Sequence, residues 1–213
     1  GESSSYRSNP FRLSRLTLSR RDPEYVNRAD AIHAAAQNYA GEEYDPALLD
    51  QNAVAAMEAA IAACGKLEGS VSIGSLVCAV RPGDGSAREQ AASCQRVLGG
   101  AANIARDYAT KRYRSNLINW GMLPLICPEM AMGKNGGTME DEILCGDWLV
   151  LPGIRSAVAN GVETVEGYLY HTGEGTLTKH TFSLGSLTDD ERKIILAGSL
   201  TGRAREEREE AGK

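Results

Sequence analysis

The chain has 213 residues and a net charge of −5; it is long enough to bury a core and gives no electrostatic reason to expect nucleic-acid binding. It shows no apolar run of membrane-spanning length and no signal-peptide pattern, which predicts a single cytoplasmic domain. The five cysteines lie at positions 64, 78, 94, 127 and 145 without a C-x-x-C pair. This spacing predicts buried, reduced thiols, and it excludes a zinc knuckle or a cluster-binding loop.

The first third of the chain predicts two helices behind a polar segment. Residues 1–22 contain five arginines among serines, and we expect them to form an N-terminal arm. Helical spacing of apolar residues then runs over 23–40 and, with many alanines, over 46–64. A histidine on the first of these helices, His33, is expected to be structural.

The middle of the chain alternates strand and helix patterns. An apolar run at 71–80 predicts a strand, and a glycine turn leads from it to a helix that starts near Ser86. A strand at 101–105, a helix at 110–120 and a strand at 122–126 follow. This alternation predicts an α/β fold with a mostly parallel or mixed sheet and right-handed crossovers.

The last third predicts an antiparallel addition to that sheet. A strand at 148–152 and a short helix at 154–159 precede two alternating segments, 162–170 and 176–182, which are typical of a β-hairpin. His171 and His180 flank this hairpin without a metal-binding spacing, and the acidic group Glu140–Glu142 is expected in a solvated helical turn. A helix at 188–197 and a charged tail at 203–213 close the chain.

The stretch from Arg81 to Gly100 carries the clearest chemistry. Its two glycines, Gly83 and Gly85, allow positive φ and close approach to the backbone. Ser86 stands where an N-cap residue belongs, and Glu89 three residues later completes a capping-box pattern. Arg88 opposes the helix dipole in the first turn, so we expect its guanidinium to bind a carboxylate or phosphate from outside.

Several motifs of the chain resemble the aconitase and isopropylmalate dehydratase superfamily. G-D-G-S-A-R-E-Q-A-A at 83–92 resembles the signature G-x-G-S-S-R-E-H-A-A of its swivel domain. The segments at 98–101, 108–117 and 121–125 resemble the L-G-G-x-A, F-A-R-I-x-x-x-N-L and G-L-L-P-L blocks in the same order, and 180–182 and 197–200 resemble further blocks. The resemblance covers the chain from about residue 70 to its end, and it implies a three-layer swivelling domain over residues 1–213.

The resemblance also implies an activity and roles for individual residues. The superfamily reversibly dehydrates hydroxy di- or tricarboxylic acids with a [4Fe–4S] cluster. That cluster would be held by other domains of the same polypeptide or by a large subunit, with no metal bound by this chain. By position, Ser86 would be the base that removes the proton α to a carboxylate, and Arg88 would bind a substrate carboxylate. Tyr6–Pro10 resembles the family's R-S-N-I-P segment, which makes Arg7 a second substrate ligand.

The chain departs from the signature at two positions, which keeps alternatives open. The second serine of the family is Ala87 here, and the histidine after the glutamate is Gln90. Within the same class, the chain could be the separate small subunit of an isopropylmalate dehydratase-like enzyme. From another class, it could be a non-catalytic relative that binds anions or RNA, although its acidic balance argues against RNA.

Overall fold

The computed structural model describes residues 9–19, 23–39, 45–67, 69–129, 131–132 and 142–212. Helix α1 spans Pro10–Leu18, α2 Pro23–Tyr39 and α3 Gln51–Cys64, with a 3-10 turn at Pro46–Leu48. Side chains of Asn9 and Asp50 cap α1 and α3 by accepting from Arg12 N (3.0 Å) and Ala53 N (2.8 Å). The two helices predicted behind the N-terminal segment are therefore confirmed, and α1 is an addition to them.

The strands and remaining helices follow in close alternation. They are β1 Ser75–Ala79, α4 Arg88–Val97, β2 Gly100–Ala105, α5 Lys111–Asn119, β3 Leu123–Ile126, β4 Ala131–Met132, β5 Glu142–Ile143, β6 Trp148–Val150, α6 Ile154–Ala159, β7 Thr164–His171, β8 Thr176–Ser183, α7 Asp189–Leu196 and α8 Leu200–Ala211. The capping box at the start of α7 is formed by Thr188 and Glu191.

Six of these strands form one mixed sheet in the order β1-β2-β3-β8-β7-β6. The pairs β1/β2 and β2/β3 are parallel, whereas β3/β8, β8/β7 and β7/β6 are antiparallel. The predicted α/β class, the mixed sheet and the C-terminal hairpin are confirmed. Because β7 runs parallel to β1–β3, the carboxyl ends of these four strands meet at one edge of the sheet, here called the carboxyl edge.

Helices cover both faces of the sheet, since alternate residues of β2 belong to different core clusters. Ala102 and Ile104 pack with Val158 of α6 and Phe182 of β8 on one face. On the other face, Ala105 packs with residues of α4 and α5, namely Ala92, Tyr113 and Leu117. The three-layer arrangement predicted from the sequence thus has α4 and α5 on one side and α6 and α7 on the other.

The structure differs from the sequence prediction in the N-terminal arm and in the acidic group. Residues 10–18 of the expected arm are helical and pack against α4. The charged tail continues as α8, where Arg203 pairs with Glu207 at 3.0 Å across one helical turn. Glu142 lies in β5 and not in a helical turn, while Glu140 and Asp141 lie outside the described residues. No helix in the described ranges has both the length and the apolar character that crossing a bilayer requires.

Candidate functional site

The segment Val80–Ala87, here called the site loop, connects β1 to α4 at the carboxyl edge. Backbone hydrogen bonds attach it to the loop that follows β2: Arg106 N and Asp107 N donate to Val80 O (3.2 and 3.3 Å), and Ala109 N donates to Pro82 O (2.9 Å). The first half of the site loop is therefore fixed by the neighbouring parallel strand. Its second half, from Asp84 to Ala87, is exposed.

Gly83 is held in place by its backbone conformation and by its contacts. Its φ is +101°, and a Cβ atom there would lie 2.5 Å from Tyr113 Cβ, so no other residue fits without displacing α5. The carbonyl oxygen of Gly83 accepts from Thr110 Oγ1 (3.1 Å) and from Arg88 Nε (3.0 Å). Gly85 is different from the expectation: its φ is not positive, and a Cβ atom there would meet nothing within 4 Å. The fold requires Gly83 and leaves the space beside Gly85 open.

The predicted N-cap of α4 is wrong by one residue. The helix begins at Arg88, its N-cap is Ala87, and no side chain of the N-cap residue bonds to it. Ser86 lies one residue before the N-cap and is exposed. Glu89 does not complete a capping box, because its Oε1 accepts instead from Trp120 Nε1 at 2.6 Å. A tertiary partner directly after α5 thus replaces the local motif that the sequence indicated.

A residue within α5, Asn116, also bonds to the first turn of α4. With its amide nitrogen oriented toward acceptors, it donates to Glu89 Oε2 (3.1 Å) and Arg112 O (3.2 Å), and its oxygen accepts from Glu89 N (3.1 Å). Every polar group of Glu89 but its carbonyl is therefore bonded to Asn116 or Trp120. From the sequence, Trp120 has no predicted role, and Asn116 stands out only as part of a family block. Local sequence patterns do not predict contacts between two helices.

Arg88 bonds to the site loop through a single guanidinium nitrogen. Its Nε bonds to Gly83 O, and among the described residues no carboxylate lies within ion-pair distance of its guanidinium. Arg81 nearby differs, since it pairs with Asp107 at 3.7 Å. The two terminal nitrogens of Arg88 can thus form the two-pronged contact with a carboxylate. Arg7, the second predicted substrate ligand, lies outside the described residues.

A buried polar cluster supports the site loop from behind. The hydroxyl of Tyr113, whose ring contacts Gly83, accepts from Gln95 Nε2 (3.2 Å) and Asn103 Nδ2 (3.0 Å). Burial raises the pKa of Tyr113, and these two hydrogen bonds counteract part of that rise. The hydroxyl of Tyr108 donates to Asn103 O (3.2 Å) and Leu125 O (3.3 Å). Burial strongly raises the pKa of Tyr108. Both tyrosines therefore stay neutral and act as rigid supports.

The histidines and cysteines form no metal centre in the part of the chain that the structure describes. His171 lies between Asp147 (Nδ1 to Oδ2, 3.3 Å) and Thr178 (Nε2 to Oγ1, 2.9 Å), and His180 bonds to the same Thr178 hydroxyl at 2.9 Å. All five cysteines are free. Cys64 and Cys145 are exposed, so the expectation of buried thiols is wrong for these two. A [4Fe–4S] cluster is normally held by several cysteine thiolates that lie close together. No such group exists among the described residues.

Comparison with known proteins places this site in a recognised sequence segment. The model of the family described as the aconitase C-terminal domain matches residues 74–130. The predicted resemblance to the aconitase and isopropylmalate dehydratase superfamily is thereby confirmed for the segment that holds Ser86, Arg88 and Asn116. No curated protein matches the chain.

Among solved structures, the chain is similar to the crystal structure of a 3-isopropylmalate dehydratase from Methanocaldococcus jannaschii. The two share 19% sequence identity, and the TM-score is 0.37. The similarity covers 64% of this chain and 66% of that protein, slightly less than two thirds of its length.

Proposed function

We propose that this chain is the swivel domain of an aconitase-like hydro-lyase, which reversibly dehydrates a hydroxy di- or tricarboxylic acid in the cytoplasm. The site loop is the observation that best supports this proposal. It is fixed at Gly83 and exposed from Asp84 to Ala87, and the arginine that follows it has no carboxylate partner among the described residues. That loop lies inside the segment matched by the aconitase C-terminal domain family.

In this proposal, Arg88 binds the substrate and Ser86 transfers the proton. Arg88 would bind a substrate carboxylate, because a guanidinium matches both carboxylate oxygens at once. Ser86 would accept the proton α to that carboxylate. A serine hydroxyl is a poor base in water, so its anion needs nearby positive charge. The Arg88 guanidinium and the positive end of the α4 helix dipole can supply that charge once a partner surface excludes water.

Arg7 would add a second cationic contact from the N-terminal segment. The support is indirect: α1 packs against α4, and Gln90 Nε2 donates to Thr17 Oγ1 at 3.4 Å. This packing ties the segment that follows Arg7 to the helix that begins at Arg88. A di- or tricarboxylate needs several such contacts held in place at the same time.

The cluster and the remaining substrate contacts would come from outside this chain. The family resemblance implies a [4Fe–4S] cluster, and no three potential ligands lie together in the described part of the chain. We therefore propose that other domains of the same polypeptide or a large subunit hold the cluster. A separate small subunit of an isopropylmalate dehydratase-like enzyme would play the same role with the same residues. The chain alone should therefore have no hydratase activity.

A ligand titration tests whether the site loop binds carboxylates. The ¹⁵N-labelled chain would be titrated with citrate, isopropylmalate and, as a monocarboxylate control, acetate, while amide shifts are followed by NMR. We expect saturable shifts at Ser86, Ala87 and Arg88 with the polycarboxylates and weaker ones with acetate. Shifts elsewhere on the surface, or saturable binding of RNA without citrate binding, would favour the non-catalytic alternative that Ala87 leaves open.

A further inference from the structure

The N-terminus of α4 lacks the side chain that usually caps a helix. Its N-cap residue is Ala87, which has no hydrogen-bonding side chain, and the exposed Ser86 does not replace it. The first N–H groups of a helix have no partner within the helix, and an N-cap oxygen normally accepts from one of them. The first turn of α4, which carries Arg88, is thus without local support.

We propose that Asn116 caps α4 from the neighbouring helix and so is a positioning residue for Arg88. With its amide oriented so that the nitrogen faces the acceptors and the oxygen faces the donor, its oxygen accepts from Glu89 N at 3.1 Å, which is one of the N–H groups that an N-cap side chain would satisfy. Its amide nitrogen donates to Glu89 Oε2 at 3.1 Å in the same contact. An amide is suited to this position because it donates and accepts at once.

The same contact keeps the Glu89 carboxylate away from the anion that Arg88 would bind. Neighbouring residues on a helix do not face each other, so Arg88 reaches back to Gly83 O while Glu89 reaches toward α5. Trp120 Nε1, at 2.6 Å from Glu89 Oε1, completes this arrangement. Without Asn116, the first turn of α4 would keep the Trp120 contact but lose the bond at Glu89 N, so the guanidinium of Arg88 would be held less firmly for an external carboxylate.

Hydrogen exchange in the full chain tests the cap without any ligand. In Asn116→Ala, the Glu89 amide should exchange roughly 2- to 30-fold faster, which corresponds to the loss of one helix cap. Ser115→Ala is the matched control on α5, because the exposed Ser115 hydroxyl donates to Lys111 O of its own helix, at 3.1 Å, and to no other residue that the structure describes. It should leave exchange at Glu89 unchanged.

Rescue by a local cap separates capping from a general loss of packing. Adding Ala87→Ser to Asn116→Ala supplies an N-cap hydroxyl, which should restore protection at Glu89 or Gln90. Unchanged exchange in Asn116→Ala would overturn the proposal. So would a loss of protection that Ala87→Ser does not repair.

The consequence for Arg88 rests on the proposed function and has its own readout. The affinity for citrate should fall several-fold in Asn116→Ala and recover at least in part in the double variant, while Ser115→Ala binds as the wild type does. If the wild-type chain bound no citrate although exchange behaved as expected, the proposed function would fail and the cap would stand. If citrate bound equally to wild type and Asn116→Ala, Asn116 would cap α4 without positioning Arg88, which contradicts the proposal.

Discussion

Replacing Gly83 by alanine should destabilise the domain, whereas the same change at Gly85 should not. At Gly83 the added Cβ would lie 2.5 Å from Tyr113 Cβ and 2.7 Å from the nearest ring atoms, and φ is +101°. A left-handed conformation costs an L-residue roughly 1–2 kcal/mol, and overpacking against a fixed core side chain costs roughly 1–3 kcal/mol. We therefore expect Gly83→Ala to lower the free energy of unfolding by about 2–5 kcal/mol.

Gly85→Ala is the matched control two residues further along the same loop. A Cβ atom there meets nothing within 4 Å, and the backbone does not need a positive φ. The stability change should stay within about 0.5 kcal/mol of zero. Urea unfolding of the full-length chain, followed by circular dichroism, measures both variants. Equal stability of Gly83→Ala and the wild type would refute the claim that Tyr113 fixes the loop.

Three further predictions concern single side chains. Ser86→Ala in the complete enzyme should lower kcat and kcat/KM by orders of magnitude, since its hydroxyl acts in the transition state; urea unfolding should be unchanged, because Ser86 is not the N-cap. Arg88→Lys should raise KM in steady-state assays, because an ammonium loses the two-pronged carboxylate contact. Burial, helped by the Asp147 and Cys145 charges, raises the pKa of Cys78 from 9.0 to about 12. The neutral thiol thus stabilises the fold below pH 9, and this contribution is lost as pH rises toward 12. Cys78→Ala should therefore flatten the alkaline fall in unfolding free energy relative to the control Cys64→Ala, which removes an exposed thiol.

The sheet was predictable because its signals are local. Apolar runs with β-branched residues marked the strands, and the alternating segments around Gly173–Gly175 marked the hairpin β7/β8. Helix α1 was missed because five arginines among serines over 1–22 indicate a polar arm, and the apolar pattern within that segment is short. Its stability comes from the Asn9 cap and from packing on α4, and only the cap can be seen in the sequence.

The site was predictable in composition but not in its contacts. Ser86 and Arg88 followed from a glycine turn before a helix and from the family signature. The capping box was wrong because Glu89 is bonded to Trp120 and Asn116, which lie about thirty residues away in sequence. The chain of contacts from His171 through Thr178 to His180 likewise depends on the register of two strands, which pairs Leu169 with Thr178. Sequence spacing alone does not fix such pairs.

Reconstitution of activity tests whether this chain supplies the catalytic serine of a hydro-lyase whose cluster is held outside it. The chain would be assayed for dehydration of citrate and isopropylmalate alone, and then together with the cluster-binding domains or large subunit from its own source. We expect no turnover by the chain alone, turnover after reconstitution, and loss of nearly all of it when Ser86→Ala replaces the wild-type chain. Turnover by the isolated chain, or full activity of the reconstituted Ser86→Ala enzyme, would contradict it.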